Sequence, residues 1–275
     1  MIEFTSAVLL TSFFAGLLGS LTGLGGGVVI VPALLLLFHV DLRYAIGASL
    51  ISVIATSSGA AVAYVKEGFS NVRIGMFLEV ATTVGAVGGA YLAARVSTRA
   101  IGIIFGVTLL YSAWSSFREP HTETTHPPNA LAEKLRLSGD YPTKNGRQTY
   151  VAENVPAGFG IMFIAGLLSG LLGIGSGAVK VLAMDHAMKL PFKVSTTTSN
   201  FMIGVTAAAS AGIYLGRGYI APGLAPPVML GVLAGSLLGA RLLVRIRVPV
   251  LRVVFAVVIV ALGAEMIYSG ATGRL

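Results

Sequence analysis

Lys180 stands where a charge is expensive. It lies in GLLGIGSGAVKVL, residues 170–182, three positions past Gly177 in an otherwise apolar stretch. Insertion scales charge about 2.5–3.5 kcal/mol for a lysine at the centre of a membrane helix. Three roles fit the residue type: counter-charge to an anion, ion pair with a carboxylate such as Glu79 or Glu265, or a side chain that snorkels to an interface. Just before it, Gly173, Gly175, Ser176 and Gly177 interrupt the apolar run. Gly23, Gly25, Gly26 and Gly27 do the same in GLLGSLTGLGGGVVIVP, residues 16–32. A glycine turn that opens a short helix leaves main-chain N–H groups bare, and the positive end of the helix dipole suits a small anion. The competing role for glycine is close helix packing, which is the better reading of Gly85-x3-Gly89 and Gly235-x3-Gly239.

Hydroxyls and one amide could complete an anion site. The run Ser195-Thr196-Thr197-Thr198-Ser199-Asn200 offers donors, although membrane Ser and Thr commonly bond a carbonyl of their own helix. Ser49 and Ser199 stand out as a pair at one spacing, as do Thr56 and Thr206. Asn200 adds a donor that hydrocarbon cannot leave unpaired. Glu79 and Glu265 are either proton relays or residues near an interface. No His and carboxylate cluster has metal spacing, no G-x-S-x-G elbow is present, and no G-x-x-x-x-G-K-[ST] run would hold ATP. No catalytic residue, metal or cofactor is expected.

The elements that must position these groups follow from composition. Of 275 residues, 55% are hydrophobic and 11% charged, with mean hydropathy +0.85. A soluble surface needs more charge than that. Apolar segments fall at 5–22, 28–38, 44–65, 74–94 and 100–117, then at 157–172, 178–188, 194–215, 224–244 and 250–269. Most approach the length that crosses a hydrocarbon core of roughly 30 Å; the segments at 28–38 and 178–188 do not. They read as half-helices. The absence of cysteine removes disulfides and thiolate metal sites. The first segment carries Glu3 in place of a basic leader and reads as a retained span.

A shift of 150 residues superimposes the two sets of segments. Residues 13–31 and 163–181 share eleven identities in nineteen positions, and Tyr64, Gly68, Gly85, Gly89 and Arg95 each meet their own kind. The chain therefore divides into a first transmembrane repeat at 1–117, a hydrophilic linker at 118–155 and a second repeat at 156–275. The linker, rich in Pro and in both charges, is expected as a loop with a short helix over 129–137. With five crossings per copy, or an equivalent in which the first two segments form a hairpin re-entering from one side, eleven Lys and Arg fall on the linker side and five on the other. If 5–38 and its repeat are each one broken crossing, the split is nine against seven. An odd number of crossings makes the repeats inverted, and such repeats place a transporter's site where they meet. The net charge of +8 fits basic loops beside anionic lipid headgroups, and no nucleic-acid partner is expected.

The paired GLGGG and GIGSG turns, each followed by a short apolar helix, resemble the TauE/SafE sulfite exporter family of bacterial and archaeal permeases. LRYAIGASL and PFKVSTTTSNFMIGVTAAASA strengthen the likeness, which covers both repeats. The resemblance implies an all-α multi-pass protein of the cytoplasmic membrane that moves a small, sulfur-containing anion such as sulfite or an organosulfonate. A channel-like or binding subunit of a larger complex, or a permease for another anion, stays open, as does a homo-oligomer. In one respect the chain departs from the pattern: Lys180 occupies the position matched by Ile30.

Overall fold

The computed structural model describes residues 2–22, 26–66, 70–116, 130–143, 146–243 and 248–274. Five helices form the first half: α1 (Ile2–Thr22), α2 (Gly27–Phe38), α3 (Leu42–Lys66), α4 (Val72–Ala93) and α5 (Thr98–Ser116). A short α6 (Ala130–Lys134) and the strands β1 (Gly139–Thr143) and β2 (Gly146–Tyr150) lie between the halves. Then come α7 (Val155–Leu172), α8 (Gly177–Leu182) with a π-helical continuation over Ala183–Ala187, α9 (Phe192–Gly216), α10 (Ala225–Leu243) and α11 (Val248–Thr272).

The short helices α2 and α8 end in the same way. His39 and Lys189, 150 residues apart, both adopt left-handed backbone, with φ of 54° and 55°. One residue later, the Val40 and Leu190 amides donate back to the Leu34 and Met184 carbonyls at 3.1 and 2.9 Å. These are Schellman-type closures, which stop a helix and turn the chain sharply. Both half-helices are thus cut to length by the same device.

Packing repeats the correspondence. Helix α1 packs on α10 as α4 packs on α7, α3 packs on α10 as α9 packs on α4, and α3 and α5 meet their own counterparts α9 and α11. Small residues carry the tightest of these crossings. A Cβ on Gly89 would lie 2.9 Å from the Leu167 carbonyl carbon and the Leu171 amide nitrogen, and Gly235 is as close to the Leu17 amide nitrogen. Gly85 crosses α7 with equal intimacy at Phe163 and Leu167. Backbones approach this closely where no side chain intervenes.

Helix α4 turns most of its large apolar side chains outward and its small and polar ones inward. Along α4, Met76, Val80, Val84 and Tyr91 are 57–62% exposed, while Leu78, Ala81, Thr82, Gly85, Ala86 and Gly89 face inward. The core that joins the halves includes Ile30, Ile46, Val53, Ile174, Ile203 and Val232.

The linker holds more structure than expected. Its helix forms within the expected stretch, but β1 and β2 also pair antiparallel, Gly139 with Tyr150 and Thr143 with Gly146. Lys144 and Asn145, between the strands, lie outside the described residues. Asn71 ties this module to the bundle. Its Oδ1 caps α4 by accepting from the Ile74 amide at 3.0 Å, and its Nδ2 donates to the Tyr150 hydroxyl at 2.8 Å. Ala132, Leu137 and Ala152 share a buried cluster with Ile74, Met188 and Leu190. Burial pushes the Tyr150 hydroxyl above its ordinary pKa range.

Candidate functional site

The two glycine turns meet. Gly27 opens α2, and a Cβ built on it would stand 2.7 Å from Ser49 Oγ, 2.8 Å from Val53 Cγ2 and 3.0 Å from the Gly173 carbonyl oxygen. Ser49 donates its hydroxyl to that carbonyl at 2.8 Å. Backbone from one half thus lies against backbone from the other, with a buried serine between. Gly26 caps α2 in helical backbone. Gly23 and Gly25 fall outside the described residues.

In the second turn, Gly173, Gly175 and Ser176 all have positive φ, at 69°, 72° and 48°. Glycine adopts this conformation freely; serine does so at a cost. Gly175 is also enclosed, since a Cβ there would lie 2.7 Å from Ile203 Cγ2. Ser176 precedes α8 without capping it, and its buried hydroxyl has no hydrogen-bond partner among the described residues. The Gly177 carbonyl accepts from Ser199 at 3.3 Å. Ser199, the counterpart of Ser49, therefore holds the turn of its own half, whereas Ser49 holds that of the other.

Two residues of the polar run on α9 serve their own helix, and the others have hydrogen-bond partners outside it. Thr196 and Thr197 donate to the Phe192 and Lys193 carbonyls one turn back. Thr198 accepts from the Asn71 amide. Asn200 is buried, and its main-chain carbonyl accepts from Ser57 on α3 at 2.6 Å. Thr56 back-bonds to Ser52 and Val53.

Lys180 does not reach an interface. The side chain is fully buried, and its Nζ donates to Thr206 Oγ1 at 2.6 Å. Thr206 in turn donates to Glu79 Oε1 at 2.6 Å, with the Met202 carbonyl 3.0 Å away as an alternative acceptor. Thr83 also donates to Glu79 Oε1, at 3.1 Å, while Glu79 Oε2 is buried with no partner among the described residues. An ammonium and a carboxylate are thereby joined through one hydroxyl, across α8, α9 and α4. Glu265, the other carboxylate candidate, is exposed on α11 and accepts from Ser269.

Sequence reasoning named Thr206 only as the mate of Thr56 and overlooked its bridging role. A usable signal lay at the 150-residue offset. The counterparts of Lys180, Thr206 and Glu79 are Ile30, Thr56 and Met229. Both charges are missing together from the first set, as expected of residues that need each other.

Comparison with known proteins fits this architecture. The model of the family described as "Sulfite exporter TauE/SafE" matches residues 8–266, almost the whole chain and both glycine turns. The chain belongs to the TauE/SafE family. It is 28% identical over 265 residues to "Probable membrane transporter protein YunE" of Bacillus subtilis, covering 93% of this chain and 94% of the relative. A second Bacillus subtilis relative, "Probable membrane transporter protein YdhB", is 26% identical over 227 residues, covering 82% and 85%. "Probable membrane transporter protein MJ0441" of Methanocaldococcus jannaschii is 24% identical over 214 residues, covering 76% and 71%. No solved structure matches the chain. As a TauE/SafE protein it is a membrane transporter, and its exposed apolar helix faces are those of a protein solvated by lipid.

Proposed function

We propose that this TauE/SafE protein is a secondary transporter that moves a small sulfur-containing anion, such as sulfite or an organosulfonate, across the cytoplasmic membrane. The observation that carries the reading is the approach of Gly27 to the Gly173 carbonyl beside Ser49. Irregular backbone at membrane depth is stable where protein or a water-filled path satisfies its N–H and C=O groups. Gly27 opens α2 at this point, and the second glycine turn leads from Gly173 into α8 at Gly177; the positive end of a helix dipole favours an anion. A tetrahedral or trigonal oxyanion matches donors of that kind.

The transporter is built as two inverted repeats of about five segments each, half-helices included, and it works by alternating access around the junction of the turns. The eleven-to-five distribution of Lys and Arg and the exchangeable helix packing support this arrangement. The linker side is then cytoplasmic. The family description supports the sulfur oxyanion class.

The test is counterflow by the purified protein in liposomes, with labelled isethionate exchanged against sulfite, isethionate, sulfoacetate, sulfate or chloride. Trans-stimulation by sulfite or a sulfonate well above that by chloride is the expected outcome. Equal rates for every anion, or the rate of protein-free vesicles, would remove the sulfur-anion reading.

A further inference from the structure

The carrier reading leaves one arrangement unused: a buried cation and a buried carboxylate, each with hydrogen-bonding capacity to spare. The Lys180 ammonium has three donors, and Thr206 is its side-chain partner among the described residues. Glu79 has one occupied oxygen and one with no partner among the described residues. A purely structural pair would close on itself, because unsatisfied polar atoms are costly when buried. Here the intervening Thr206 hydroxyl keeps the two groups linked but incompletely paired.

We propose that Glu79 is the proton-carrying group of an anion–proton cotransport cycle, with Lys180 as the charge it shares with the anion. This rests on the anion-carrier reading above. In the empty carrier the Glu79 carboxylate balances the Lys180 ammonium through Thr206. An anion arriving at Lys180 takes over that balance. The carboxylate then becomes an excess negative charge in a low-dielectric setting and accepts a proton from water at Oε2. The loaded site holds ammonium, anion and neutral carboxylic acid, so its total charge equals that of the empty site for a monovalent anion. On the opposite face the anion leaves, the proton returns to water, and the pair forms again. One proton crosses with each anion, in the same direction.

Among the described residues, the other charged groups on the elements packed against the pair are exposed or have partners of their own. Elsewhere on α4, Arg73 is exposed and donates to the Arg136 carbonyl. On α9, Lys193 is exposed near one end, and Arg217 at the other donates to the Ala90 carbonyl at 2.8 Å. Helix α7 carries no charged residue, and Arg99 on α5 is exposed. Beyond Lys180, Asp185 and His186 are within 3.7 Å of each other. Tyr214 on α9 donates its hydroxyl to the Gly170 carbonyl.

The test uses the full-length protein in liposomes with isethionate, a sulfonate that stays ionised near neutral pH and cannot carry the proton itself. An inside-alkaline pH gradient should drive isethionate inward, toward a limit of about tenfold accumulation per pH unit for one-to-one coupling. A trapped pH dye should report lumenal acidification as isethionate enters. Glu79→Gln should lose the pH-driven accumulation and the lumenal acidification, whatever rate of isethionate exchange it keeps. The pair replacement Glu79→Met with Lys180→Ile should lose them too, and stands in if the single variant does not reach the membrane. Exchange in the parent without accumulation or acidification would overturn the coupling and leave the carrier reading intact. Undiminished accumulation by Glu79→Gln, or by the pair replacement where it stands in, would overturn the role of Glu79. A parent that moves no anion in any arm would overturn both readings.

Discussion

Gly27→Val should abolish anion transport while the protein still reaches the membrane, and Gly175→Val should do the same. At Gly27 even the first carbon of a side chain would come within 3.0 Å of Ser49 Oγ, Val53 Cγ2 and the Gly173 carbonyl oxygen. Valine adds two methyl groups beyond that carbon, so the two turns must separate. At Gly175 a different force acts. The backbone has φ of 72°, where a β-branched residue is strongly disfavoured, and Ile203 fills the space a side chain would need. Strain of this kind is on the order of 1–3 kcal/mol per residue, which a membrane bundle can survive. A site assembled from backbone N–H groups tolerates displacement far less well. The check pairs initial uptake rates with membrane-fraction abundance. Transport at a third or more of the parental rate in either variant would reduce that turn to packing.

Breaking the charge pair from one side should damage the fold, and breaking it from both sides should largely repair it. Lys180→Ile leaves the Glu79 carboxylate buried with only hydroxyl partners, and Glu79→Met leaves the ammonium with only Thr206. Losing one member of a buried pair typically costs about 3–5 kcal/mol, whereas replacing both with apolar residues is often close to neutral. The double variant Lys180→Ile with Glu79→Met reproduces Ile30 and Met229, the residues 150 positions from Lys180 and Glu79 in the respective opposite repeats. Thermal denaturation in detergent should therefore show both single variants melting well below the parent and the double variant recovering most of the loss. Independent, additive effects of the two substitutions would contradict the pairing. Transport is expected to be lost in all three. Lys180→Ile alone thus mixes a folding penalty with a binding defect, and the double variant separates them.

Much of this architecture was legible in the residue order. Apolar run lengths separated the half-helices from the longer helices, and the 150-residue offset reappears in the caps at His39 and Lys189 and in the crossings at Gly85 and Gly235. The pairing of β1 with β2 escaped notice because its stability is tertiary. Two strands alone are marginal, and these are anchored by Tyr150 on Asn71 and by the cluster around Leu137. The partner of Lys180 could be narrowed to two carboxylates but not chosen, since helix rotation decides that Glu79 turns inward and Glu265 outward. Thr206 was hidden for a related reason. A threonine in a helix can bond its own i−4 carbonyl or a neighbour, and Thr206 lies within reach of both Met202 and Glu79.

The central claim is that one anion site, at the junction of the two glycine turns, opens to each face of the membrane in alternation. The chain has no cysteine, so Ser49→Cys provides a single thiol beside Gly27 and the Gly173 carbonyl. Its reaction rate with an impermeant, sulfonated thiol reagent can be followed from either side of the membrane, with and without isethionate. The account predicts reaction from both faces and slowing by isethionate on each. A thiol that reacts from one face only, or at a rate saturating isethionate does not change, would contradict it.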